Sequence, residues 1–169
     1  MRREAFFSND CKYRYSLLRE WDTSLPRVLY IMLNPSVADA EIDDQTIKRC
    51  TYFAEKFGFG SLEVVNLYAL ISTDPFEIKT ESEPIGKDND YHILVAAKRA
   101  SKIIVAWGEK GFYNQRHNKV TRMLHDNGYS LYCLKLTKNG HYPRHPSRLP
   151  SCCQLELFTT EEFLKKLYK

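Results

Sequence analysis

The residues able to do chemistry fall in four short stretches, each at the end of an apolar run. Asn34-Pro35-Ser36 follows the first run, and Asn66 and Tyr68 close the second. Trp107-Gly108 ends the third, and the fourth leads into Arg144-His145-Pro146-Ser147-Arg148-Leu149. Carboxamides, hydroxyls and guanidinium groups can hold a polar or anionic ligand, and an imidazole can also move a proton. An amide in an apolar strand, such as Asn66, needs a hydrogen-bond partner once buried, and a ligand or nearby backbone can supply it. Other chemistries lack their residues. There is no P-loop or dinucleotide fingerprint and no Gly-x-Ser-x-Gly elbow. His141 and His145 with Cys152 and Cys153 lack zinc-ligand spacing, and Pro143 and Pro146 bar a regular helix through the two histidines. No metal and no cofactor are expected.

The elements that position these residues read as alternating strands and helices. Lys12 to Trp21 reads as an extended N-terminal segment. Arg27 to Leu33 is an apolar run suited to a buried strand, broken at Pro35. Asp43-Asp44 opens a helix, as acids at the positive end of a helix dipole and as caps. Ile47, Cys50, Thr51, Ala54 and Phe57 form its apolar stripe, and Gly58 its C-terminal cap. Leu62 to Tyr68 is a second strand, and Asp88-Asn89-Asp90 caps a helix running to about Ala100. Lys102 to Trp107 and Ser130 to Lys135 are the third and fourth strands, separated by a helix from about Asn118 to Asp126. A last helix spans Glu161 to Tyr168. The alternation predicts one α/β domain over 1–169, a three-layer αβα sandwich around a mostly parallel four-stranded sheet. Right-handed crossovers then bring the four loops to one rim, at the carboxyl ends of the strands.

At this resolution the motifs resemble known proteins. Ile31 to Ser36, Asp39, Asp43-Asp44, Thr46, Val65 to Tyr68, Trp107-Gly108 and Arg144-His145-Pro146 are similar to a bacterial and phage family. That family is number 1643 among the domains of unknown function. More distantly, Met32 to Ser36 resembles the Gly-x-Asn-Pro-Gly-like motif of the uracil-DNA glycosylase superfamily. Asn66 resembles its base-reading Asn, Val105 to Gly108 its Leu-Leu-Trp-Gly-like strand, and His145 to Leu149 its His-Pro-Ser and wedge loop. Met32 and Ser36 depart from it, standing where glycines let the backbone approach a ligand.

The resemblance implies a glycosylase-like fold and N-glycosidic chemistry. Asn34, or an acid such as Asp43, would position water, and His145 would donate to the leaving base. Asn66 would read the base edge; Pro35, Ser36, Tyr68, Trp107 and Gly108 would line the pocket. Arg144, Ser147 and Arg148 would hold phosphates while Leu149 wedges into the base stack. The partner implied is DNA or a nucleotide. A non-catalytic nucleotide binder, or an interaction protein with a protein partner, is the alternative on the same fold.

Composition bounds these readings. In 169 residues, 43% hydrophobic and 13% aromatic, there is enough apolar material for a core, which excludes a disordered chain. No apolar run approaches the length of a membrane span, and Met1 to Asp10 lacks a signal peptide's apolar stretch. The expectation is a cytoplasmic protein with no membrane partner. Five cysteines, an odd number, fit reduced thiols better than a disulfide framework. The net charge of +4 conceals a polarity. Lys98 to Arg148 holds eleven basic residues against two acids, and Ala38 to Ala97 holds five against twelve. The basic half points to an anionic partner.

Overall fold

Arg27–Met32 (β3) lies at the middle of the sheet, because its apolar side chains need cover on both faces. The computed structural model describes residues 1–110 and 113–169. β3 pairs in parallel with Ser61–Asn66 (β4) on one side and Lys102–Val105 (β5) on the other. Tyr132–Cys133 (β6) continues the parallel set beyond β5. These are the four strands expected from the sequence, but the sheet is larger. Arg2–Phe7 (β1) and Arg14–Glu20 (β2) add two antiparallel strands beside β4, and Glu156–Leu157 (β7) adds one beside β6.

The result is a mixed, seven-stranded sheet in the order β1-β2-β4-β3-β5-β6-β7. The expectation of four strands is therefore corrected. The N-terminal extended segment is not an appendage; Leu17 to Glu20 pair with Val64 to Ser61. The fourth strand is shorter than Ser130 to Lys135, pairing only over Tyr132–Cys133.

Helices cover both faces, and the strand residues sort between them with period two. Val28, Tyr30, Met32, Leu62 and Val64 pack with Ile47, Cys50, Phe53 and Ala54 of Gln45–Lys56 (α1). Leu29, Ile31, Val65, Ile103 and Val105 pack with Asn89–Arg99 (α3) and Arg116–Asp126 (α4). A single turn, Glu77–Thr80 (α2), precedes α3, and Glu161–Leu167 (α5) ends the chain. Asp44 caps α1 by accepting the Ile47 N–H at 2.9 Å, and Gly58 follows the helix at φ +85°.

The start of α3 departs from the expected cap. Asp88 makes no side-chain cap bond. Asn89, wholly buried, instead donates to the carbonyls of Asn66 at 2.9 Å and Leu67 at 3.1 Å. Arg116 adds a bond to Leu67 O at 2.8 Å, so the end of β4 is clamped through its backbone.

From β3 the chain crosses to β4 through α1, then passes back over β3 to β5 through α3. Strand order thus reverses beside β3, and a crevice opens at the carboxyl ends of β3, β4 and β5.

Candidate functional site

A cleft of about 670 Å³ occupies that crevice. Of the residues singled out from the sequence, Asn34, Pro35, Ser36, Asn66, Trp107, Gly108, His145 and Arg148 line it. Residues up to 114 positions apart in sequence meet there because parallel strands all deliver their following loops to the same edge.

The loop carrying His145 returns to that edge through backbone bonds. After β6 the chain runs out and folds back, bridging Leu136 to Pro143 and bonding Arg144 N–H to Lys135 O at 2.8 Å. Gly108 N–H donates to Pro143 O at 2.8 Å, tying this loop to the end of β5. Gly108 takes φ +73°, a conformation in which a side chain is strained. A short 3-10 turn, Pro146–Arg148, follows, and His145 caps it.

That cap decides the imidazole's proton. Ser147 N–H donates to His145 Nδ1 at 3.2 Å, with Ser147 Oγ 2.7 Å from the same nitrogen. Burial lowers the His145 pKa from its ordinary value, against a smaller opposing pull from Asp44. The neutral ring that results accepts at Nδ1 and carries its hydrogen on Nε2.

Asn34, which also lines the cleft, donates from Nδ2 to Ser72 O at 2.9 Å and to Pro35 O at 3.1 Å. The amide plane is fixed, and its oxygen remains the acceptor. Asp44 is held just as firmly. One carboxylate oxygen takes the Ile47 N–H, and the other takes the Ser36 hydroxyl at 3.0 Å.

Two uncharged donors in the cleft lining, besides the Nε of Arg14, have no partner among the described residues. Asn66 is 2% exposed, and its Nδ2 is buried without a hydrogen bond. Trp107 is likewise 2% exposed, with an unpaired Nε1, while its ring meets Phe158 edge-on at 5.9 Å. Buried donors are ordinarily satisfied, so their gathering on one cleft marks a surface built for acceptors.

Five expected site residues lie elsewhere. Asp43 accepts from Arg19 Nε at 2.7 Å and from Arg3 at 3.3 Å, and Asp44 is the acid of that pair that lines the cleft. Tyr68 packs with the α3 cluster and donates its hydroxyl to Tyr113 O at 2.7 Å; burial pushes its phenol up to about 12. Leu149 is core, packed with the α1 cluster, and Arg49 donates to its carbonyl. A wedge there would have to leave the core first. Arg144 and Ser147 flank the cleft without lining it, Ser147 being held by His145.

Sequence reasoning also missed lining residues. Thr46 and Ile47 begin α1, Ser72 and Thr73 follow β4, and Glu109 and Lys110 follow β5. Arg14 lines the cleft from β2. The signal for Arg14 was an arginine inside an apolar strand, Arg14-Tyr15-Ser16-Leu17-Leu18, which requires a partner once buried.

No curated protein and no solved structure matches the chain. A family model does, over residues 14–147, a span holding every residue that lines the cleft except Arg148. The chain belongs to that family, described as protein of unknown function (DUF1643).

Proposed function

We propose that the cleft binds a nucleobase-bearing ligand, DNA or a nucleotide, and hydrolyses its N-glycosidic bond on a fold of the uracil-DNA glycosylase type. The observation that carries this reading is the pair of unpaired buried donors, Asn66 Nδ2 and Trp107 Nε1, beside His145. A base edge bearing carbonyl oxygens and ring nitrogens supplies the acceptors they need.

The remaining groups fit the same reaction. Breaking the C–N bond sends its electron pair to the base and leaves positive charge on the sugar. The Asp44 carboxylate opposes that charge, and Asn34 Oδ1 accepts from a water directed at the anomeric carbon. The water oxygen bonds to that carbon and its released proton passes to Asp44. The Nε2–H of His145 stabilises the departing base anion. Products are the sugar with a new hydroxyl and the base anion, which becomes the free base by taking a proton from solvent as Asp44 gives its own up.

One observation favours a second reading, a binder that returns its ligand unchanged. Met32 lines the cleft at 3% exposure, its sulfur accepting from the Cys50 thiol at 3.8 Å, and puts a long side chain where the resembling motif has glycine. An interaction protein would place its partner outside the cleft altogether.

Oligonucleotides carrying modified bases, beside free nucleosides and nucleotides, separate these readings when scored for binding and for base release. Asn66→Leu keeps the branching of the amide and Trp107→Phe keeps an aromatic ring, and each removes an unpaired donor. Each is expected to weaken binding at least about tenfold with little change in Tm, as the loss of a buried hydrogen bond to ligand. Asn34→Ala and His145→Ala are expected to abolish release. Full binding with ligand recovered intact supports the binder instead; wild-type binding by both donor variants overturns the cleft as the site.

A further inference from the structure

Among the described residues, three arginines are buried to 3% exposure or less: Arg14, Arg19 and Arg116. Two of them have a carboxylate. Arg19 Nε meets Asp43 at 2.7 Å, and Arg116 Nη2 meets Asp90 at 2.6 Å. Arg14 has none within 4 Å among the described residues. Its Nη1 donates to Ala38 O at 2.5 Å, and its Nε is buried with no partner. It is also the one of the three that lines the cleft.

Local structure explains how it reaches there. The β1–β2 register slips between Phe6 and Phe7, which pair with Ser16 and Arg14 and leave Tyr15 unmatched. Such a bulge re-aims the neighbouring side chain. Burial lowers the Arg14 pKa to about 10, with Asp44 and Asp39 opposing from beyond ion-pair range. A guanidinium still charged at neutral pH, desolvated and without a counter-ion, is costly for a fold to keep unless something else uses it.

We infer that Arg14 is an anion-holding position in the wall of the cleft that takes a terminal phosphomonoester of the ligand. Guanidinium presents a planar set of donors matched to phosphate oxygens. Lys110, exposed and lining the same cleft, adds a second cation for a dianion. The interior of a polynucleotide offers only diesters, flanked on both sides by sugar and carried past the rim. A side chain as buried as Arg14 reaches a group that enters the cleft. The ligand is therefore a nucleoside monophosphate or a 5′-phosphorylated strand end. The nucleoside part of this assignment rests on the proposed function above; the anion position does not.

Titration calorimetry with the full chain tests it. The common deoxynucleosides are compared with their 5′-monophosphates, with inorganic phosphate, and with short strands bearing a 5′-phosphate or a 5′-hydroxyl. The monophosphate is expected to bind at least about tenfold more tightly than the nucleoside, the gain of a charge-assisted contact. The strand arms then decide between a free nucleotide and a strand end. Arg14→Gln should erase the preference, bringing the affinity for the monophosphate to within about twofold of that for the nucleoside, and Arg14→Lys should keep part of it. Arg14→Met retains the volume of the stem and serves if the Gln variant fails to fold. Losing an unpaired buried charge, both variants are expected to match or exceed wild-type Tm.

The proposal is overturned if the phosphate adds nothing in the wild type, or if Arg14→Gln and Arg14→Met keep the preference. A fall in Tm with the preference intact likewise makes Arg14 purely structural. Arg14-dependent binding of inorganic phosphate with no nucleoside binding keeps the anion position and removes the base-bearing reading. Nucleoside binding indifferent to phosphate does the reverse.

Discussion

Asp43→Asn tests the division of labour between the two adjacent acids. Asp43 is bonded to Arg19, whose side chain is 1% exposed, at 2.7 Å, and the carboxylate itself is 21% exposed. Removing one partner of a buried ion pair costs about 3–5 kcal/mol, because the remaining charge is left uncompensated. Two features of the site reduce that figure. Arg19 keeps bonds to the carbonyls of Leu18 at 2.9 Å, Asp39 at 2.5 Å and Ile42 at 3.3 Å. The partial exposure of Asp43 also screens the lost attraction. An expected loss of about 2–3 kcal/mol follows. For a chain of this size that is a fall in Tm of about 4–12 °C. Differential scanning calorimetry reads the shift, and urea unfolding reads the free energy. The double variant Arg19→Met/Asp43→Leu should recover most of the loss, since a hydrophobic replacement leaves no orphaned charge. Ligand affinity and base release should be unchanged in the folded Asn variant. A Tm equal to wild type, or loss of binding at unchanged stability, would refute the assignment of Asp43 to the scaffold.

Acid should destabilise the fold through its histidines. Burial lowers the folded-state pKa of His145 and of His92, so the unfolded chain binds more protons as pH falls. Their contribution is complete above the unfolded value of about 6.5 and is lost as pH drops through the lowered ones. Tm measured across that range should fall more steeply in the wild type than in His145→Gln; parallel curves count against a desolvated His145. Leu149→Ala should cost about 2–5 kcal/mol as a core truncation, because Leu149 is 4% exposed; an unchanged urea midpoint would return Leu149 to the surface role of a wedge.

Much of the fold was legible because its parallel centre is buried on both faces. Arg27 to Met32 reads as one uninterrupted apolar strand, and the α1 stripe at Ile47, Cys50 and Ala54 repeats at helical spacing. The antiparallel margin was less legible. Along β1 exposure alternates, but its sequence, Arg-Arg-Glu-Ala-Phe-Phe, does not alternate in polarity, and Phe6 is 54% exposed. β7 is two residues long and exposed, too short to leave any period. Asn89 reads as part of a cap, yet its amide serves the backbone of β4, a long-range bond that local sequence does not encode.

The site divides along the same line. Motifs that end parallel strands were readable because strand polarity alone brings their loops together, whatever the intervening sequence. Choices between like residues were not readable, because they depend on which partner faces each one. Asp43 and Asp44 are neighbours, yet one compensates a buried arginine and the other lines the cleft. Arg14 and Arg19 lie five positions apart on one strand, and only the second meets a carboxylate. The charge polarity of the chain has the same resolution. Arg99 meets Glu63 at 2.5 Å and Arg116 meets Asp90, so part of the basic half neutralises the acidic stretch inside the fold. Lys110 and Arg148 remain on the cleft, which Asp44 also lines. An anion-binding reading therefore rests on a few cations left over after internal pairing, with Arg14 the one that burial makes most selective, and not on the basic half as a whole.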